Sequence, residues 1–475
     1  MSGRGRMMAA LAAVSLGGCA VGPDYVAPAA DLSADWLGSV EDAATLPDAW
    51  WTALEDDVLA DYLALAAANN RDIGAAVARV DEARARRGIA RSAFWPQAAL
   101  AGSYTSVEQS IESPGAGGTL IDAGLIDRDV EFYTANMDAS WEIDVFGGNR
   151  RQAQAADAEV GAAIADAEAV ALAVLAETAS AYFELRGAQE RLAIVSSNIA
   201  SQQRTLELTR RKADAGLARR IDELRAAAQV DAVRAQVPAL RASIRASTYR
   251  LGTLTGRRPE QMPDQVEAIA LLPAPPMALP VGMRADVLRR RPDVIAAERR
   301  LAAATAGVGI AKADFFPRFV LNASYGFEAE DASAIGDGRA RTTALVPFVS
   351  WPVFQGGRLR ANLEGANARA RAAALGYEQT VLVALADAES ALTAYAEELG
   401  TYERLRAAAD ASGEAADIAQ RLYEQGLADF LTVLDAERRR DEAQDARARS
   451  HTRVLLNMAR VYKALGGGWR VDAAS

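Results

Sequence analysis

Strict alternation of apolar and polar side chains marks residues 133–145 as a half-buried strand. Tyr133, Ala135, Met137, Ala139, Trp141, Ile143 and Val145 fall on one face, and Thr134, Asn136, Asp138, Ser140, Glu142 and Asp144 on the other. Phe319, Leu321, Ala323, Tyr325 and Phe327 repeat the pattern against Asn322, Ser324 and Glu328. With two less regular runs, the sequence predicts four strands at about 97–112, 131–146, 318–328 and 342–354. The last holds Pro347 and Pro352, which cannot donate to a ladder, so it belongs at a sheet margin.

A helical period takes over downstream. Ile164, Ala167, Ala171, Val174, Thr178, Ala181 and Leu185 step by three and four along one face. The stretches 149–212 and 358–423 contain no proline and are rich in strong helix formers. Sixty-odd residues make a helix on the order of 90–95 Å long, beyond the reach of an ordinary globular domain. Alanine at many contact positions lets neighbouring helices approach closely. Each stretch ends near a glycine, Gly216 or Gly426, after which a second helix returns.

The chain repeats this plan. Residues 71–104 recur as 292–325: Asp72, Ala75 and Ala76 match Asp293, Ala296 and Ala297, and Phe94-Trp95-Pro96 matches Phe315-Phe316-Pro317. Phe146-Gly147-Gly148 echoes Phe354-Gln355-Gly356-Gly357, and Ala215-Gly216-Leu217 echoes Gln425-Gly426-Leu427. Each half reads as helix, strand, strand, very long helix, turn, helix. The first helix of each stops before Pro96 or Pro317. Pro259, Pro263, Pro273, Pro275, Pro276 and Pro280 mark a linker between the halves.

Composition narrows the function. A net charge of −11 argues against nucleic acid as a partner. One histidine, His451, and one cysteine, Cys19, leave no metal-spaced cluster, and no glycine-rich phosphate loop follows a strand. Neither an enzyme nor a cofactor is expected. Arg4 and Arg6 precede an apolar stretch from Met7 to Leu16, too short to span a bilayer. Gly17-Gly18-Cys19 then resembles a lipobox, with Cys19 as the lipidated residue after removal of a signal peptide, 1–18. Loss of the two arginines takes the net charge to −13. Ala20 stands where an Asp commonly holds such lipoproteins at the inner membrane, which favours the outer membrane.

Four amphipathic strands cannot close a barrel in lipid, where open edges leave unsatisfied backbone groups. Several chains sharing one wall remove the problem, with Asn136, Asp138 and Glu142 facing water and the apolar face meeting lipid. A homo-oligomeric conduit is therefore expected.

Several blocks resemble the outer membrane factor family, the TolC-like (NodT-type) lipoprotein ducts of tripartite efflux pumps. They are Gly18-Cys19-Ala20-Val21-Gly22-Pro23-Asp24-Tyr25 and Trp141-Glu142-Ile143-Asp144-Val145-Phe146-Gly147. Leu288-Arg289-Arg290-Arg291-Pro292-Asp293-Val294 and Tyr462-Lys463-Ala464-Leu465-Gly466-Gly467-Gly468-Trp469 complete the likeness. The resemblance implies a mainly α fold with a membrane β-barrel. It implies a homotrimer whose chains share a twelve-stranded barrel and a long α-helical tunnel, working with a periplasmic adaptor and an inner-membrane pump of the RND type. It divides the chain into a lipidated extended segment 19–55, a first repeat 56–255, an equatorial linker 256–285, a second repeat 286–466 and a tail 467–475. Adaptor contact falls to the helix tips, at Gly216, Leu217, Arg219, Gly426, Leu427 and Asp429. The gate falls to Asp417, Gln420 and Arg421. Gln420 stands three before Tyr423, where relatives commonly carry an acid; Asp417 lies one turn earlier. Other readings are a secretion duct for proteins or signal molecules, a periplasmic adaptor, or a structural lipoprotein.

Overall fold

The computed structural model describes residues 20–28, 36, 49–112, 116–262, 272–281, 284 and 289–467. The expected signal peptide, Cys19 and most of the tail lie outside them.

The first repeat runs α1 (Asp57–Asn69), α2 (Arg71–Ser92), β1 (Gln97–Glu108), α3 (Ala116–Asp122), β2 (Asp129–Ile143), α4 (Gly148–Asp214), α5 (Arg220–Arg234) and α6 (Val237–Leu254). The second runs α7 (Pro292–Ala313), β3 (Arg318–Ala329), β4 (Arg341–Ser350), α8 (Arg358–Glu424) and α9 (Phe430–Ala464). Helices α4 and α8 each have 67 residues. At 1.5 Å per residue each is about 100 Å long. The predicted stripe on α4 is buried from Ala171 to Leu185, whereas Ile164 is exposed.

Two differences from the sequence pattern have local causes. The returning helix of the first repeat breaks at Ala235–Gln236, while α9 runs unbroken for 35 residues. Pro238 lacks the N–H that would continue the ladder. The break closes with shorter bonds, Gln236 N–H to Val233 O at 3.1 Å. Strand β2 ends at Ile143, short of 146, because Asp144 turns out of the ladder to cap α4. Its carboxylate accepts the N–H groups of Asn149 at 3.2 Å and Arg150 at 2.9 Å.

The strands form one antiparallel sheet in the order β1-β2-β3-β4. The central pair joins the repeats, from Tyr133 opposite Ala329 to Ile143 opposite Phe319. Pro347 lies opposite Leu321 on edge strand β4, and Pro352 falls beyond the strand.

The chain forms two compact units, and each repeat contributes to both. The first draws its described residues from 20–27, 81–161 and 299–375, and so holds the sheet; the second draws its own from 28–80, 162–298 and 376–467. In the second unit Trp50, Leu59, Leu63, Tyr182, Phe183, Leu251, Leu455 and Met458 build the main core. Trp50 stacks on Tyr462 with ring centres 4.8 Å apart. Tyr182 donates its hydroxyl to Asp56 Oδ2 at 2.7 Å. His451 lies against the linker, its Nε2 3.0 Å from Pro273 O and its ring stacked on Tyr402.

Candidate functional site

The sheet register decides which side chains share a wall. Leu100 faces Met137, Met137 faces Tyr325, and Tyr325 faces Thr343, so the apolar positions of neighbouring strands fall on one side. That side is bare: Leu100 is 85%, Leu345 68% and Met137 50% exposed. A contiguous apolar surface of this kind needs lipid or a partner to cover it. The other side carries Ser103, Thr134, Asn136, Asp138, Ser140, Asn322 and Ser324. Ser103 and Thr134 share a hydrogen bond of 2.7 Å. Gly326 sits opposite Asn136, where a Cβ would come within 2.0 Å of Asn136 Oδ1. Val346 and Phe348 of β4 also lie on this side, so the edge strand is less polar than its neighbours.

An aromatic collar marks the strand ends that meet the helices. Trp141 donates its indole N–H to Phe94 O at 3.0 Å, and Trp351 donates to Phe315 O at 3.1 Å. Trp95 and Phe354 remain exposed beside them. Amphipathic rings with one polar atom tied down suit a membrane–water boundary.

In the second unit the turns after α4 and α8 are the same device used twice. Gly216 has φ +70° and Gly426 φ +78°. Leu217 N–H reaches Lys212 O at 2.8 Å, and Leu427 N–H reaches Leu422 O at 2.8 Å. Glycine is required here by the left-handed conformation and not by space, because a Cβ would meet nothing within 4 Å at either position. Leu217 and Leu427 point outward, 79% and 73% exposed. Asp429 caps α9 by accepting from Thr432 N–H at 2.9 Å and its hydroxyl at 2.7 Å, which holds the Asp429 carboxyl below its ordinary range. Arg219, its counterpart, begins α5 without a side-chain cap and pairs with Asp222 at 3.3 Å. The two tips come together through Tyr423, which packs with Ala226, Phe430 and Val433. Its hydroxyl is 3.2 Å from Thr209 Oγ1, and Lys212 Nζ lies 3.9 Å above its ring while donating to its carbonyl.

The gate candidates sit on the flank of α8 away from this packing. Ala409, Ala416, Ala419 and Tyr423 are buried, whereas Asp417 and Arg421 are exposed. Gln420 is half-buried and donates to Glu424 Oε1 at 3.4 Å. Asp410, Asp417 and Glu424 recur every seven residues and so share a face.

Pattern reading missed a polar seam between α4 and α9. Thr205 donates to Glu437 Oε1 at 2.8 Å, Gln202 to Asp441 Oδ2 at 2.6 Å, and Arg191 to Asp445 Oδ1 at 2.7 Å. Burial pushes the carboxyls of Glu437 and Asp441 up, against the opposing pull of Thr205, Gln202 and Arg440. It also missed the job of Arg291, whose guanidinium donates to Ala464 O at 3.0 Å and Ala384 O at 3.3 Å while pairing Asp293 at 2.6 Å. Only the Arg-Pro-Asp spelling, repeated from no other part of the chain, signalled it.

An apolar-skinned sheet with a polar reverse, followed by two 67-residue helices that meet at paired tips, is the plan of an outer-membrane duct. A family model for outer membrane efflux proteins matches residues 62–257 and 284–467. The chain belongs to the outer membrane efflux protein family. Pyoverdine export outer membrane protein OpmQ of Pseudomonas putida is 33% identical over 436 residues, covering 91% of this chain and 90% of its own. Nodulation protein T of Rhizobium leguminosarum bv. trifolii is 31% identical over 461 residues, covering 96% and 95%. The solved outer-membrane channel OprN superposes with a TM-score of 0.87 at 38% identity, over 95% of this chain and 100% of OprN. This outer membrane efflux protein is thus a TolC-like channel component of efflux, located in the outer membrane with a long periplasmic helical extension. The family and its structural neighbours are channels rather than enzymes.

Proposed function

We propose that the channel works as a homotrimer, lipid-anchored through Cys19, and passively conducts cargo delivered by an inner-membrane pump of the RND type and a periplasmic adaptor. The observation that carries the trimer is the open sheet: among the described residues, β1 and β4 have no outer strand partner. Three such sheets pairing edge to edge close a barrel of about twelve strands, within the range that bacterial barrels occupy. The apolar faces then meet lipid, and Asp138 and Glu142 line water. The adaptor docks at the outward-pointing Leu217 and Leu427, with Gly216, Arg219, Gly426 and Asp429 shaping the two tips. Asp417 and Arg421, with Gln420 behind them, border the passage at the periplasmic end. The linker 256–285, the tail 467–475 and the part of 19–55 beyond residue 27 wrap the equator, and the repeats span 56–255 and 286–466.

The test is the assembled state. Outer-membrane extracts run without boiling are expected to give a band at three times the chain mass that collapses on heating. A strain lacking the chain should lose efflux, and the Tyr104→Pro change on β1, a ladder position at the edge, should abolish the trimer band. A monomer in detergent by light scattering, still conducting in bilayers, would reject the reading.

A further inference from the structure

Within the first unit, the short segment that follows the anchor cysteine is not loose. Arg151 is buried, with its side chain 4% exposed. Its Nε donates to Val21 O at 3.1 Å and its Nη2 to Gly22 O at 3.2 Å. Gln154 Oε1 takes a third donor at 2.9 Å, and Asp24 Oδ1 lies 2.8 Å from Nη1. Val21 N–H reaches Phe146 O at 3.0 Å, which extends the backbone contact to the end of the β2 turn.

Three glycines make the seat possible. Gly22 has φ +100°, and a Cβ there would lie 2.5 Å from Gly309 Cα. A Cβ on Gly309 would press on Arg151 Cγ and Cδ at 2.8 Å. Gly147, at φ +80°, would meet Ala20 Cα at 2.7 Å. Backbone therefore packs on backbone, and a planar fork reads two successive carbonyls, a geometry that lysine cannot reproduce. Phe146 to Arg151 belong to the first repeat and Gly309 to the second, so the seat exists only once the two have met.

The geometry points to Arg151 as a positioning residue for the membrane anchor: with Gly147 and Gly309 it seats residues 20–24, and so fixes where the lipidated Cys19 is tethered on the strand–helix junction. The function assigned to the tether rests on the lipid-anchor reading above. The seating itself does not. Without the seat, the acyl group and the barrel would be joined by a free leash. With it, the anchor is held in register with the start of α4. Asp24 contributes little, because its side chain is 87% exposed. The two charge-assisted bonds to buried carbonyls carry the attachment.

The test uses the full chain purified from outer membranes with Val26→Cys, at a site 80% exposed, carrying a nitroxide. An acylated Cys19 leaves this the only free thiol. The parent is expected to give a spectrum of restricted backbone motion and slow chymotryptic cutting after Tyr25. Gly22→Ala alters the tether alone and leaves the body intact; it should sharpen the spectrum and speed the cut about tenfold or more. Arg151→Met should do the same, and Arg151→Lys should not restore the parent spectrum. A label equally mobile in the parent and in Gly22→Ala, or cutting rates within twofold, overturns the seat. Mass spectrometry of the released N-terminal peptide reads acylation separately. A peptide without acyl chains, with a label of restricted motion, sinks the anchor reading and leaves the seat standing as a structural strap.

Discussion

Replacing Arg291 with methionine removes a charge from the second unit while keeping most of the stem volume. The guanidinium side chain is 10% exposed. Its loss strands Ala464 O at the end of α9 and takes a second donor from Ala384 O, which the helix ladder of α8 already serves. It also leaves Asp293 and Asp387 without their counter-charge. Breaking a fully buried pair costs about 3–5 kcal/mol. Asp293 and Asp387 are 42% and 55% exposed, so water recovers part of that. One unmet carbonyl and a weakened pair leave a cost of about 2–3 kcal/mol. The effect should be local, because the contacts tie the start of α7 to α8 and the end of α9. Hydrogen exchange read by mass spectrometry on the purified channel should accelerate about 30- to 150-fold in peptides over 292–300 and 455–464. Peptides over the sheet serve as the internal control. Arg291→Lys should fall between, since a point charge cannot serve both carbonyls and the carboxylate. Acid gives a second check. Burial alone would raise the Asp293 carboxyl, but the hydrogen bond and charge of Arg291 outweigh it and leave it below its ordinary value. A lowered folded value means stability that is full above about pH 4 and lost as pH falls through the folded value. That acid sensitivity should vanish in Arg291→Met. Protection unchanged within threefold in both peptides would refute the assignment.

Gly426→Val forces a branched side chain into φ +78°, at a cost of about 1–2 kcal/mol confined to the tip. The variant should fold and lose adaptor co-purification, whereas normal recovery of adaptor would reduce the glycine to a turn-former. Glu437→Gln keeps the Thr205 contact and removes a buried charge, and should stabilise the tip by about 1 kcal/mol at neutral pH. Because burial raises the Glu437 carboxyl, the wild type gains stability as pH falls through the folded value. Mild acid should slow exchange around 430–440 in wild type and leave the glutamine variant flat, and equal responses would contradict the seam. Asp417→Ala should lower cation over anion conductance in single-channel recordings, while unchanged selectivity would make Asp417 an ordinary solvated position.

Much of the fold was legible because it rests on periodicity. Alternation at 133–143 and 319–327 marked two strands and their apolar faces; the register, with Trp141 opposite Leu321 and Met137 opposite Tyr325, keeps that face continuous but was not legible in the pattern. The glycines after the long helices were legible for the same reason, as breaks in an uninterrupted pattern. The fine boundaries were not. Asp144 reads as one more polar position in an alternating strand, and only its bonds to Asn149 and Arg150 show that it has left the ladder. The seam between α4 and α9 was hidden because Glu437 and Asp441 look like a solvated helix face until another helix covers them. The gate candidates Asp417 and Arg421 are exposed in the single chain, so their role depends on neighbours that one chain does not supply.

Arg151 and Arg291 share a logic that explains why sequence pattern overlooked both. Pattern assigns arginine to solvent, and each of these serves carbonyls at points where distant stretches converge. Arg151 gathers Val21 and Gly22, roughly 130 positions away along the chain. Arg291 gathers Ala384 and Ala464. A duplicated chain meets itself at such junctions, where an extended segment (Val21, Gly22) or a helix end (Ala464) leaves carbonyls that no ladder satisfies, and a mid-helix carbonyl such as Ala384 O takes a second donor. A rigid, always-charged fork satisfies two or three at once without a change of protonation, so burial does not neutralise it as it would a lysine. Both junctions should therefore tolerate lysine poorly even though charge is preserved, and glycine neighbours that make room for the fork, Gly309 above all, should tolerate alanine no better.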